Sequence, residues 1–186
     1  MPLSCTAFFA ASLDGFVARP DGSIDWLDAA VASAAPTSDL GFASLLASVD
    51  GLVMGRVTFE KVLSFGLWPY GELPLHVATR RGVAIPDQLR GTVTASDEQP
   101  VALLARLAGE GRRHLYVDGG QLLADFFAAD LIDRLITTTI PVMLGSGLRA
   151  FGPLPADRAW RHLSTEADPC GFVQQRYERR RLTVTG

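Results

Sequence analysis

Lysine is almost missing from this chain: Lys61 stands alone against sixteen arginines. With 17 basic and 20 acidic side chains the formal net charge is -3, so the basic footprint that nucleic-acid binding needs is absent. No spacing of an RNA-recognition motif, a helix-turn-helix or a zinc finger is present. Long hydrophobic runs are missing as well. No apolar stretch approaches the length of a membrane span, and Met1–Ala10 lacks the basic start of a signal peptide. Cysteine is scarce, and Cys5 and Cys170 lie in contexts so different that they read as free thiols of a reducing cytoplasm. The three histidines, His76, His114 and His162, show no ligand spacing with each other or with the cysteines, which argues against a metal site. No nucleophile–histidine–acid pattern is found, nor any internal repeat or low-complexity tail. Arginine in place of lysine, with much alanine and glycine, is the compositional mark of a high-GC bacterial genome.

What is present suits one globular unit. A chain of 186 residues with 48% hydrophobic content can bury one good-sized core, and a single domain over 1–186 is expected. Leu3, Cys5, Ala7 and Phe9 interleave with Ser4, Thr6 and Phe8 as a central strand, apolar on both faces. Further strands are expected at Leu52–Met54, Leu75–Thr79, Thr92–Ala95, His114–Val117 and Leu135–Val142. Trp160–Glu166 and Phe172–Arg179 flank a hairpin spelling, Ala167-Asp168-Pro169-Cys170-Gly171. Helix stripes run through Phe42, Leu45, Leu46 and Val49, through Gly55–Phe65, through Val101, Leu104 and Leu107, and through Leu123, Phe126 and Phe127. Gly109 and Gly111 serve as stops for the third of these. Ala29–Pro36 is too weakly patterned to assign. This alternation predicts a three-layer α/β/α sandwich around a mostly parallel mixed sheet with an antiparallel C-terminal hairpin.

Two strand-to-helix junctions are marked by glycine. In Leu52-Val53-Met54-Gly55-Arg56-Val57-Thr58-Phe59-Glu60 a buried strand ends at Gly55 and a helix opens at once. Free N–H groups of a helix start, beside Arg56 and Thr58, suit a phosphate, although the same spelling also serves as a plain βα junction. Tyr116-Val117-Asp118-Gly119-Gly120-Gln121 repeats the arrangement. Two such junctions at neighbouring strand ends could hold the two ends of one dinucleotide at the carboxyl edge of the sheet. A third strand end, Val77-Ala78-Thr79-Arg80-Arg81, offers a hydroxyl and guanidiniums for a terminal phosphate, which points to NADPH rather than NADH; Arg81 also reads as a plain solvated turn residue. No Gly-x-Gly-x-x-Gly follows the first strand. Gly145-Ser146-Gly147, with Phe151-Gly152-Pro153 close behind, reads as a tight loop.

Four motifs in order carry a resemblance that covers essentially the whole chain. Met54–Glu60 resembles the phosphate-binding turn of the dihydrofolate reductase-like superfamily. Ser12-Leu13-Asp14-Gly15-Phe16-Val17-Ala18, Asp118–Ala124 with Leu131–Leu135, and Pro141–Gly147 resemble the reductase (C-terminal) domain of bifunctional riboflavin-biosynthesis proteins and its stand-alone relatives. That resemblance implies a cytoplasmic NADPH-dependent oxidoreductase and a homodimer. It implies phosphate contacts from Gly55, Arg56 and Thr58, a 2′-phosphate site at Thr79 and Arg80, and pyrophosphate contacts from Gly119, Gly120 and Gln121. Asp14 and Gly15 would lie on the loop beside the nicotinamide. Asp118 departs from the glutamate or aliphatic residue usual before the glycine pair. The implied substrate is a small heterocycle, most like the ribosylaminopyrimidine phosphate whose sugar carbonyl is reduced in riboflavin biosynthesis. The zinc deaminase signature of the bifunctional enzymes is missing. Dihydrofolate or a pteridine is the alternative substrate, and a non-catalytic nucleotide-binding module of the same fold is a third reading.

Asp39 precedes Gly55 by about the interval that separates the substrate carboxylate from the glycine turn in dihydrofolate reductases. It is therefore a candidate for substrate binding and for assisting protonation, while Ser38-Asp39 equally suits a helix cap. Trp26 and Trp68, the latter in the loop Trp68-Pro69-Tyr70-Gly71, are candidate walls for a substrate ring, or packing residues. Arg179-Arg180-Arg181 reads as a solvated end.

Overall fold

A computed structural model describes residues 3–180. Arg181, and the first two residues of the Met1–Ala10 stretch, lie outside them. The first strand, β1 (Ser4–Ser12), is followed by the short β2 (Phe16–Ala18) and two helices, α1 (Asp25–Ala34) and α2 (Phe42–Ser48). Three βα steps come next: β3 (Gly51–Gly55), α3 (Arg56–Ser64), β4 (Leu75–Ala78), β5 (Val93–Ser96), α4 (Pro100–Gly109), β6 (His114–Asp118) and α5 (Gly120–Ala128). The chain closes with β7 (Arg134–Ile140), the two-residue β8 (Leu148–Arg149), β9 (Trp160–Ala167) and β10 (Val173–Arg179).

Eight strands form one sheet in the order β5-β4-β3-β6-β1-β7-β10-β9. Every pairing from β5 to β7 is parallel, and the β7–β10 and β10–β9 pairings are antiparallel. This is the expected mostly parallel sandwich with its antiparallel hairpin. β1 lies in the middle and is buried on both faces: Thr6 and Ser12 on one are covered as fully as Cys5 and Ala7 on the other. Cys5, Ala7, Phe9 and Ala11 face a cluster containing Leu103 and Leu107 of α4 and Leu123, Phe126 and Phe127 of α5. Phe8 turns to the opposite layer, where Leu45 of α2 and Phe59 and Val62 of α3 pack on Leu52, Met54 and Tyr116. Parallel strands buried on both sides need such two-sided cover.

Local signals account for the element ends. Pro100 opens α4, where its missing N–H costs nothing. Gly111 (φ +96°) closes the same helix: its N–H reaches Ala108 O at 3.1 Å and the Arg112 N–H reaches Leu107 O at 3.0 Å, the paired bonds of a Schellman ending. The stretch without clear pattern contains most of α1, anchored by the buried Trp26 against Ile140 and Phe172. β2 and β8 pair as a separate two-stranded ribbon, too short to leave a periodic trace. Gly147 is required there, since a Cβ would stand 2.2 Å from Ala18 O.

Arg179 is not a solvated end. Its guanidinium pairs with the Asp130 carboxylate and donates to the Asp130 carbonyl, and only 11% of its side chain is exposed.

Candidate functional site

The parallel strands β4, β3 and β6 end side by side: Gly55 is in register with Ala78, and Met54 with Asp118. Beyond these ends opens a cleft of about 730 Å³, within the range typical of small-molecule sites. Its floor and walls include Gly55, Arg56 and Thr58 from the first junction, Thr79 and Arg80 from the second, and Gly119, Gly120 and Gln121 from the third. Three segments far apart in sequence thus meet at one cavity.

The α3 and α5 starts face each other closely. Their N-caps, Gly55 and Gly119, bring no side-chain cap to the first-turn N–H groups, so the positive end of each helix dipole is available to an anion. Gly119 adopts φ +107° and ψ +128°, a conformation closed to residues with a Cβ. A Cβ at Gly119 would also stand 2.7 Å from Thr58 Oγ1 and 3.2 Å from the Gly55 nitrogen. The glycine is therefore what lets the two helix starts approach.

The cationic groups differ in their freedom. Arg56 is paired with Glu60 one helical turn on, at 2.6 Å with both side chains part-exposed; such a pair is worth little. Among the described residues the Arg80 guanidinium has no hydrogen bond or ion pair. Thr79 forms a local turn, its hydroxyl accepting from the Arg81 N–H at 3.2 Å, and its own N–H donates to Ser96 O at 2.8 Å. Gln121 Nε2 donates to Asp125 at 3.2 Å.

The remaining candidates lie elsewhere. Asp39 does not line the cleft: its two carboxylate oxygens accept from the Gly41 N–H at 2.9 Å and the Ala43 N–H at 2.7 Å. It caps α2, and those hydrogen bonds hold its pKa low, Ala43 contributing most. Trp26 is buried beneath α1, away from the cavity. Trp68 packs edge-on against Phe59 and Tyr70 and donates to Gly71 O at 3.2 Å, so its loop reaches the cleft through Pro69 and Tyr70 instead. Asp14 staples two turns, accepting from Ser12 Oγ at 2.6 Å and from the Leu144 and Gly145 N–H groups at 3.1 and 2.7 Å. These contacts, the Ser12 hydroxyl first, pull it down to about 2. Neither Asp14 nor Gly15 lines the cleft, but Val17 and Ala18, just beyond, do.

A carboxyl that sequence reasoning gave no role lies in the cavity: Asp118, the last residue of β6. Its Oδ1 accepts from the Gly119 N–H at 2.7 Å. Although the residue is half-buried, loss of water around the carboxyl raises its pKa, against the Tyr116 and Gly119 hydrogen bonds that oppose the rise. Tyr70 and Tyr116 beside it are raised too, burial first and Asp118 second, and stay neutral. Its position at a strand end directly before a glycine pair was the available signal, since ligands of parallel sheets sit beyond those ends.

Residues 4–174 match the family described as the RibD C-terminal domain. The chain belongs to that family. It is 36% identical over 162 residues to the uncharacterized protein YwjB of Bacillus subtilis (strain 168), covering 86% of this chain and 88% of that one. A crystal structure from Shewanella sp. PV-4, named "Putative riboflavin biosynthesis protein", superposes with a TM-score of 0.86 at 34% identity, over 96% of this chain and all of that one. The bifunctional deaminase/reductase of Thermotoga maritima shares the fold at a TM-score of 0.70 and 15% identity, and the match spans 57% of that longer chain and 96% of this one. Both cysteines are free. Among the described residues no helix is long and apolar enough to cross a membrane.

Proposed function

We propose that this RibD C-terminal domain protein is an NADPH-dependent reductase of a small heterocyclic substrate, most like the 5-amino-6-(5-phosphoribosylamino)uracil reductase activity named for its Thermotoga relative. The observation that supports this best is the meeting of the α3 and α5 starts across Gly119, with an Arg80 guanidinium unpaired among the described residues on the same cavity. A cradle that a single Cβ would fill suits the backbone-close binding of a pyrophosphate. In this reading Gly55, Arg56, Thr58, Gly119, Gly120 and Gln121 hold the diphosphate and its neighbours, and Thr79 and Arg80 take the 2′-phosphate. When bound, the cofactor supplies a hydride to an electrophilic C=O or C=N carbon.

The chain's own part is to position, exclude water and manage a proton. Phe8, Phe42, Tyr70 and Tyr116 form an apolar wall of tilted and edge-on rings along the cleft. Asp118, its pKa raised by loss of water around the carboxyl, is the cleft carboxyl that would hold a proton in this reading. Asp14 and Gly15 act through the turn they lock, which carries Val17 and Ala18 into the wall. The case for dihydrofolate rests on Asp39 and on the Met54–Glu60 spelling; the Asp39 carboxylate serves a helix start outside the cleft, and the pyrimidine reading is preferred for this reason. A second copy of the chain would cover the exposed edge strand β9, and light scattering of the purified protein tests for that dimer.

Calorimetric titration with NADPH, followed by NADPH oxidation against a panel of pyrimidines, pterins and folates, tests the proposal. Binding with turnover on a pyrimidine is the expected result. No heat up to millimolar cofactor overturns it, and binding without turnover on any acceptor leaves a non-catalytic nucleotide-binding module.

A further inference from the structure

Beside the turn that carries Arg80, the segment Asp97–Gln99 between β5 and α4 lines the same cleft. It carries two carboxylates on the same cavity as Arg80: Asp97, which is exposed, and Glu98, whose charge is already engaged. Arg106 of α4 donates through Nε to both Glu98 oxygens at 3.1 and 3.0 Å and through Nη2 to Oε2 at 2.8 Å. Its Nη1 reaches Glu110 at 2.6 Å. Ser96 Oγ donates to Glu98 Oε2 at 2.6 Å. Having given its one proton to Glu98, that hydroxyl accepts from His76 Nε2 at 3.0 Å. The buried imidazole is thereby fixed as the neutral Nε2–H form, its Nδ1 accepting from Thr94 Oγ1 at 3.0 Å. Arg106 Nη2 lies 3.4 Å from that Nδ1; burial first, and this guanidinium second, hold His76 below the usual imidazole range. The Arg106 and Ser96 hydrogen bonds, in that order, pull Glu98 down to about 2, so it is ionised at neutral pH. Ser96 O also receives the Thr79 N–H at 2.8 Å, which ties this network to the turn that carries Arg80.

We infer that Arg106 is a positioning residue for cofactor choice: by clamping Glu98 against α4 it keeps the Glu98 carboxylate from pairing with Arg80, so that this guanidinium serves the phosphomonoester of a phosphorylated dinucleotide. The inference rests on the cofactor reading above. Without the clamp, an ionised Glu98 in the same cleft either pairs with Arg80 or repels the phosphate. Both outcomes disfavour NADPH, and neither penalises NADH, whose ribose hydroxyls an acidic residue accepts well.

The test is the ratio of the NADH to the NADPH dissociation constant, measured by calorimetry for the wild type, R106M, R106K, E98Q and the R106M/E98Q double variant, with thermal melts to establish folding. R106M should lower the ratio on the order of tenfold, the scale of one part-screened charge contact. R106K, which keeps a cation beside Glu98, should stay close to wild type. E98Q and the double variant should keep the preference for NADPH, since neither carries the Glu98 carboxylate and both keep Asp97 as in the wild type. Equal weakening of both cofactors in R106M, or a double variant as unselective as R106M, overturns the inference and leaves Arg106 a structural residue. Should R106M fail to fold, S96A carries the test: it loosens the other anchor of Glu98 and should lower the ratio less, and an unchanged ratio overturns the inference. A wild type that binds neither dinucleotide overturns the cofactor reading and this inference with it, whereas a wild type selective for NADPH alongside an equally selective R106M overturns this inference alone.

Discussion

Gly119→Ala is the substitution whose cost can be worked most directly from the structure. Two penalties add. The first is conformational: φ +107° with ψ +128° lies where a residue with a Cβ is strained by about 1–3 kcal/mol. The second is steric, because the new methyl would stand 2.7 Å from Thr58 Oγ1 and 3.2 Å from the Gly55 nitrogen, an overpacking of about 1–3 kcal/mol. A combined loss of about 3 kcal/mol corresponds to a drop in Tm of about 6–12 °C for a chain of this length. The two terms separate in a double-mutant cycle. Thr58→Ala removes the worst contact and leaves the backbone strain untouched, so G119A should cost about 1 kcal/mol less in the T58A background than in the wild type. Chemical denaturation of the four apoproteins measures this coupling. If the two substitutions add to within about 0.5 kcal/mol, the two helix starts do not press on each other as argued. If G119A costs nothing at all, the conformation itself is refuted.

Arg80→Ala should weaken NADPH far more than NADH, because in the proposed reading it removes a partner of the extra phosphate; equal losses for both would place Arg80 elsewhere. Asp39→Ala should lower Tm by stripping the acceptor from two N–H groups at α2, with NADPH-oxidation kinetics unchanged, and a fall in turnover at unchanged stability would return Asp39 to the chemistry. Asp118 carries a raised pKa in the folded protein, so its contribution is fully present below the unfolded value of about 3.9 and is lost as pH rises through the folded value. Asp118→Asn escapes that loss: the two proteins should melt together in acid, and the variant should become the more stable as pH rises. A wild type that gains on the variant with rising pH refutes the assignment of a buried, readily protonated carboxyl.

Elements with strong local signals are legible in the sequence. β1 showed apolar side chains on both faces, as a strand between two helical layers must, and Gly111 marked the end of α4 because the Schellman turn requires a positive φ. The glycine junctions pointed to the carboxyl edge of the sheet, and Gly55, Arg56, Thr58, Thr79, Arg80, Gly119, Gly120 and Gln121 do line one cleft there. What was hidden depended on partners distant in the chain. An Asp three residues before a helix looks alike whether it faces a ligand or the helix's own N–H groups, and only the Asp39 hydrogen bonds distinguish the two. Tryptophan spelling does not reveal depth, so Trp26 beneath α1 and Trp68 behind Tyr70 could not be told from pocket walls. Arg179 resembled a charged tail until Asp130, 49 residues earlier, was seen to pair with it. Periodicity and turn chemistry act over a few residues, and they determined the order and type of the layers. The direction each carboxylate and guanidinium faces is decided by contacts between segments that only the folded chain brings together, and those contacts put Asp118 in the cleft and Asp39 outside it.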